Sequence, residues 1–227
     1  LHRAFALFFP IELAVALTAI VHLANNLFKL ALLGRHADRS VVLLFGLPAV
    51  LAAFAGASVL AALSSLPAFV SYSLFGRVCS VLPAKAVVAV LLLAFVSLEL
   101  STRFSQIRMS SRLLPLGGLL SGFFGGLSGH QGALRSAFLL KLDLSKESYI
   151  ATGVAIACLI DLTRLAVYST RMPLPAVHSQ APLVATACAA AFLGSFLGSR
   201  LLTKVTLRSV QLTVSFALAL ISLALLS

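Results

Sequence analysis

Gly117–Leu142 reads GGLLSGFFGGLSGHQGALRSAFLLKL, seven glycines among polar groups in an otherwise hydrocarbon-like chain. The chemistry on offer is recognition of an anion. Glycines interrupt a membrane helix, and an interrupted helix presents free backbone N–H groups and a positive dipole end at membrane depth. Ser128, Gly129, His130, Gln131 and Gly132 stand at the interruption and would present those donors. Arg135 follows one turn later, and its guanidinium adds a two-pronged donor suited to sulfonate, sulfite or carboxylate oxygens. The plainer role for Arg135 is to tie the segment to neighbouring carbonyls. An imidazole at position 130 offers coupling to protons, or serves simply as a hydrogen-bonding group. Helix packing of the GxxxG kind also uses many glycines. It does not need His130, Gln131 and Arg135 so close together.

Two further charges lie inside apolar runs, Lys29 in HLANNLFKLALL and Arg164 in CLIDLTRLAVY. An unpaired charge at membrane depth costs at least ~3 kcal/mol. Asn25 and Asn26 precede Lys29 by four and three residues, and Asp161 precedes Arg164 by three. Helical spacing puts each set on one face. Asn26, Lys29, Asp161 and Arg164 are therefore expected to line or gate a solute path. The structural alternative is local pairing, with the long side chains reaching an interface.

Other chemistries find less support. Gly126-Leu127-Ser128-Gly129 fits the GxSG pattern of intramembrane serine proteases. That chemistry needs a histidine base on a later membrane helix, and the later histidines are His130, beside the motif, and His178, in a loop. There is no nucleotide-binding loop and no cluster of metal ligands. Cys79, Cys158 and Cys188 are far apart and suggest no disulfide framework. No catalytic residue, metal or cofactor is expected.

The elements that must position these groups follow from composition. Hydrophobic residues make up 60% of the 227 and charged residues 10%, with a mean hydropathy of +1.09. Soluble domains carry about 25% charged residues. The fold class expected is an all-α polytopic membrane protein with a single transmembrane domain over 1–227. The net charge of +11 sits largely in short loops, where it sets orientation rather than binding nucleic acid. Six spans are expected: Ile11–Leu33, Val41–Leu63, Ala84–Leu100, Tyr149–Ser169, Pro182–Leu202 and Val210–Leu226. Each is near the roughly 20 residues that cross a bilayer. The link from Ser64 to Pro83 is long enough to fold back on the surface. The strip Ala185–Gly198, rich in small residues, reads as tight helix packing.

Leu113–Leu142 is either one broken crossing or a hairpin of two half-helices. If it returns, ten basic residues fall on one side of the membrane and four on the other (Arg3, Arg77, Lys85 and Arg171). The positive-inside rule favours the hairpin. An internal repeat agrees. Glu12, Ala16, Asn26, Leu27, Lys29, Leu30 and Ala31 match Glu147, Ala151, Asp161, Leu162, Arg164, Leu165 and Ala166 at an offset of 135. Phe54-Ala55-Gly56 matches Phe196-Leu197-Gly198 after a longer loop. With the hairpin, paired spans run in opposite directions, an inverted repeat with halves 1–112 and 113–227. Each half should then carry a glycine-rich hairpin. The first would lie largely upstream of Leu1, with about Leu1–Phe9 as its tail.

The run from Gly117 to Gly129, with Gly132-Ala133-Leu134-Arg135-Ser136-Ala137-Phe138-Leu139, the Ser145-Lys146-Glu147 link and Ala151-Thr152-Gly153, resembles the TauE/SafE sulfite-exporter family. In that family more glycines commonly follow the Ser-Gly step, where this chain has His130-Gln131. The resemblance implies a secondary transporter, working outward, of a small anion such as sulfite, a sulfonate or a related organic acid. The implied setting is a multi-pass protein of a bacterial inner membrane. Its partners would be the small anionic substrate, the bilayer and a second copy in a homo-oligomer. A different class, a non-transporting membrane scaffold, would keep the glycines but tolerate loss of Arg135 and His130.

Overall fold

The computed structural model describes residues 11–74, 77–101, 111–129, 131–140, 142–170 and 178–201. The chain is an all-α membrane protein with one small β-ribbon. Its helices are α1 (Ile11–Leu33), α2 (Arg39–Ser64), α3 (Pro83–Leu100), α4 (Leu114–Ser128), α5 (Gly132–Leu139), α6 (Lys146–Ser169) and α7 (Ala181–Leu201). Among the described residues three helical stretches are long and apolar enough to cross a bilayer: Ala16–His36, Arg39–Ser64 and Lys146–Ser169. Pro83–Ser97 and Ala181–Leu197 are apolar but shorter. The sixth expected span, Val210–Leu226, lies outside the described residues.

Local chemistry sets the helix boundaries. Asp38 caps α2, its Oδ1 accepting from Val41 N at 3.1 Å. Asp38 N in turn donates to Thr152 Oγ1 at 2.9 Å, tying the α1–α2 corner to α6. Ser145 caps α6 by accepting from Ser148 N at 3.2 Å. Each cap satisfies a backbone or side-chain group that would otherwise be orphaned at a helix start.

The link after α2 is more ordered than the sequence suggested. Strands β1 (Val70–Leu74) and β2 (Arg77–Val81) pair antiparallel, with Val70 opposite Val81 and Leu74 opposite Arg77. The alternation Val-Ser-Tyr-Ser-Leu has the two-residue period of a strand. A ribbon this short is marginal alone in water; here α2 and α3 hold both its ends.

The glycine-rich segment folds as a hairpin. Helix α4 ends at Gly129 and α5 returns along it: a Cβ placed on Gly117 would come within 2.6 Å of the Phe138 ring. In one straight helix those residues would be ~30 Å apart. Two glycine edges make the fold possible. Gly118, Gly122 and Gly126 face α2 so closely that an added Cβ would stand 2.1–2.2 Å from the carbonyl oxygens of Phe45, Ala49 and Ala53. Gly56 of α2 returns the contact against Phe123 O. A second edge about 100° round the helix, Gly117, Ser121 and Gly125, faces α5 and α6.

Packing outside the hairpin is uneven. Helix α1 lies on α6, α2 also packs on α6, and α7 packs on α1. Phe28 of α1 stacks on Phe192 of α7 with ring centroids 5.0 Å apart. The small-residue strip of α7 does not form the tight contact expected of it. Among the described residues much of it is exposed, and Gly194 has no atom within 4 Å of an added Cβ. Among the described residues α7 packs chiefly on α1.

A paired substitution tests the close approach. Gly122→Ala should lower stability in detergent by ~1–3 kcal/mol, because the colliding atom is backbone that cannot rotate away. Gly194→Ala should be neutral or stabilise by up to ~1 kcal/mol. Thermal unfolding of the two variants beside the parent reads the difference.

Candidate functional site

The hairpin break, α6 and α1 bring most of the sequence-predicted polar residues to one level. Gly129 closes α4 in the left-handed conformation, with φ 77°, and its N–H bonds Gly125 O at 2.9 Å. A side chain there would be strained. It would also meet Arg164, since an added Cβ would lie 2.6 Å from Nη1. The guanidinium of α6 thus rests directly on the tip of the hairpin.

Arg164 is held by Asp161, Nη2 to Oδ1 at 3.0 Å, with both side chains almost wholly buried. The second carboxylate oxygen of Asp161 accepts from Asn26 Nδ2 of α1 at 3.0 Å. Asn26 and Asp161 are the very positions matched by the offset of 135. The Nε of Arg164 is buried and has no hydrogen-bond partner among the described residues.

Gln131 organises the other side of the break. Its carbonyl accepts from Ser121 Oγ at 3.1 Å and from Arg135 N at 3.0 Å. Its Oε1 accepts from Arg135 Nη1 at 3.2 Å. Because that side chain is spent on Arg135, it does not cap the first turn of α5. Gly132, the first residue of α5, is exposed and has open space where a Cβ would stand. Arg135 itself lies over Gly153 of α6, its Nε 3.4 Å from an added Cβ there. His130 lies outside the described residues.

Lys29 departs from the local pairing expected of it. Asn25 and Asn26 are engaged elsewhere: Asn25 Oδ1 accepts from Ser195 Oγ of α7 at 2.8 Å, and Asn26 bonds Asp161. Lys29 lies instead within electrostatic reach of Arg135. Asp161 is within reach of Arg135 as well as Arg164. Arg135 and Arg164 therefore share the one carboxylate of Asp161, and Lys29 lies beyond them on the Arg135 side, leaving formal positive charge unmatched among the described side chains of this layer.

Ser128 is buried, and its hydroxyl donates back to Phe124 O at 3.0 Å. His178 is exposed, three residues before α7.

Two residues that sequence reasoning missed support the break. Tyr168, one turn after Arg164, donates its hydroxyl to Gly126 O at 2.9 Å. That carbonyl is among the last four of α4, which have no partner within their helix. In lipid no water would satisfy it. Ser121 adds a second donor to Gln131 O, which already accepts from Arg135 N. The signal for Tyr168 was its spacing of four from Arg164, which places both on one face of α6.

Tyr168→Phe should cost ~1–3 kcal/mol by stranding the Gly126 carbonyl, read as a fall in melting temperature. Asp161→Leu alone should cost ~3–5 kcal/mol, because it leaves Arg164 buried without its counter-ion. The double variant Asp161→Leu/Arg164→Met should be more stable than Asp161→Leu. The same melting experiment tests that order.

Residues 4–225 match the family model described as Sulfite exporter TauE/SafE. No curated protein and no solved structure matches the chain. Taken with a helical membrane fold built around a glycine-broken hairpin, the match over nearly the whole sequence means that the chain belongs to the TauE/SafE sulfite exporter family of membrane transporters.

Proposed function

We propose that the chain is a secondary transporter that exports a small oxyanion, of the sulfite, sulfonate or organic-acid class, across a bacterial inner membrane. The observation that carries this reading is that Arg135 and Arg164 share the carboxylate of Asp161 at a helix break, with Lys29 within reach of Arg135. An excess of positive charge at membrane depth costs several kcal/mol unless an anion offsets it. The uncapped first turn of α5 and the open space at Gly132 provide backbone donors and room beside those cations. Ser128, Gly129, His130, Gln131 and Gly132 form the tip in this reading. Arg164 and Arg135 approach the anion from either side, and Asn26 orients Asp161.

The two halves, 1–112 and 113–227, act in this reading as inverted repeats that rock about the site. Support comes from the Asn26–Asp161 hydrogen bond, because repeat-equivalent positions that touch lie on the axis relating the halves. The pairing of α2 with α6 and of α7 with α1 has the same exchange relation. Binding needs no cofactor and no covalent step, so the chain is not an enzyme in this account.

The test is uptake of sulfite and sulfoacetate by proteoliposomes of the full chain. The parent should show saturable uptake. Arg135→Ala should reduce it about 10–100-fold while the protein remains folded, the effect of losing one charged hydrogen bond of ~1.5–3 kcal/mol. Absence of uptake of either anion by well-folded protein, with no thermal stabilisation by them, would instead favour a membrane scaffold.

A further inference from the structure

We infer that His22 lines the water-filled path by which the solute reaches the hairpin break. This deepens the transport reading and rests on it. Helix α1 runs from Ile11 to Leu33, so His22 is its central residue, eleven positions from either end. At 1.5 Å per residue that is ~16 Å from each end of the helix, and within the apolar stretch Ala16–His36 it lies ~9 Å from the nearer end, inside the hydrocarbon layer. The side chain is nevertheless exposed. It makes no hydrogen bond among the described residues. An imidazole facing hydrocarbon at that depth would strand both ring nitrogens, at a cost of several kcal/mol.

The surroundings point away from lipid. His22, Asn25, Asn26 and Lys29 follow one another at i, i+3, i+4 and i+7 and form a polar stripe along α1. Asn26 leads from that stripe to Asp161, and His22 itself lies within electrostatic reach of both Arg164 and Lys29. The stripe is turned toward α6 and α7, because Asn26 bonds Asp161 and Asn25 bonds Ser195, and His22 opens on that side of α1. Among the described residues the charged groups within reach of this position are Arg164 from α6 and Lys29 from α1, with Asp161 and Arg135 beyond them. The described side chains of α7 add no charge. A solute passing His22 would therefore meet an imidazole hydrogen-bonding group on its way to Arg164.

Cysteine accessibility tests this in the full chain reconstituted in liposomes. Cys79, Cys158 and Cys188 are first replaced by serine or alanine, and His22→Cys is added. The probe is the anionic, membrane-impermeant sulfonatoethyl methanethiosulfonate. Leu51→Cys serves as the comparator, because Leu51 is 72% exposed in the middle of apolar α2. A thiol reacts as its thiolate, which hydrocarbon suppresses. His22→Cys should therefore be labelled at least ~10-fold faster than Leu51→Cys. Labelling of both by a lipid-soluble maleimide but of neither by the aqueous probe would overturn the inference and turn His22 toward lipid. Labelling of position 22 by neither reagent would also overturn it, because protein would then close the position. Sulfoacetate should slow the aqueous labelling at position 22. Rapid labelling without that protection would uphold the path and count against the anion reading.

Discussion

Two helix backbones in near contact govern the arrangement. Along α2 and α4 the carbonyls of Phe45, Ala49 and Ala53 occupy the space where side chains of positions 118, 122 and 126 would begin. Between membrane helices lipid competes for every apolar contact, so association rests on dispersion and polar contacts at short range. Removing three Cβ atoms allows that range. It also thins α4 enough for α5 and α6 to approach its other edge at Gly117, Ser121 and Gly125. The tip of the hairpin, the left-handed turn at Gly129 and the seat for Arg164 all follow from a helix narrow on two sides.

The polar layer is placed by what surrounds it. One apolar cluster holds Leu17, Leu60, Leu92 and Tyr168. The other holds Phe45, Phe138, Ile156 and Ile160. Along α6, Asp161 and Arg164 fall between Ile160 of the second cluster and Val167 of the first. Charges bracketed in this way interact through a low effective dielectric, which strengthens the Asp161–Arg164 attraction and the mutual repulsion of the cations alike. A third group, Asn26 on another helix, keeps the carboxylate aimed.

Much of this was legible in the sequence because it depends on residue type and period. The spans followed from hydropathy, and the hairpin from glycines together with loop charge. The Asp161–Arg164 pair followed from a spacing of three on a helix. What stayed hidden depends on neighbours distant in the chain. Lys29 looked locally satisfied because Asn25 and Asn26 share its face, yet tertiary contacts claim both amides. The alanines of α7 looked like a packing strip, but a small side chain permits a close neighbour without supplying one. The β-ribbon was passed over because a short alternating run between two long helices is a weak signal beside theirs. The roles given to individual residues at the break rest on chemistry, which sequence suggests and transport assays decide.

The ribbon has a mechanical consequence. Its strands leave the end of α2 and enter the start of α3 through only a few residues, and their ladder fixes the distance between those two helix ends. Helix α2 is in turn meshed with α4 through backbone contacts that offer no slack. A displacement of the hairpin is therefore transmitted through α2 to α3, and the three helices behave as one lever. The α1–α7 seam is joined differently, by side chains such as the Ser195–Asn25 hydrogen bond and the stacked Phe28–Phe192 pair, which can rotate where meshed backbones cannot.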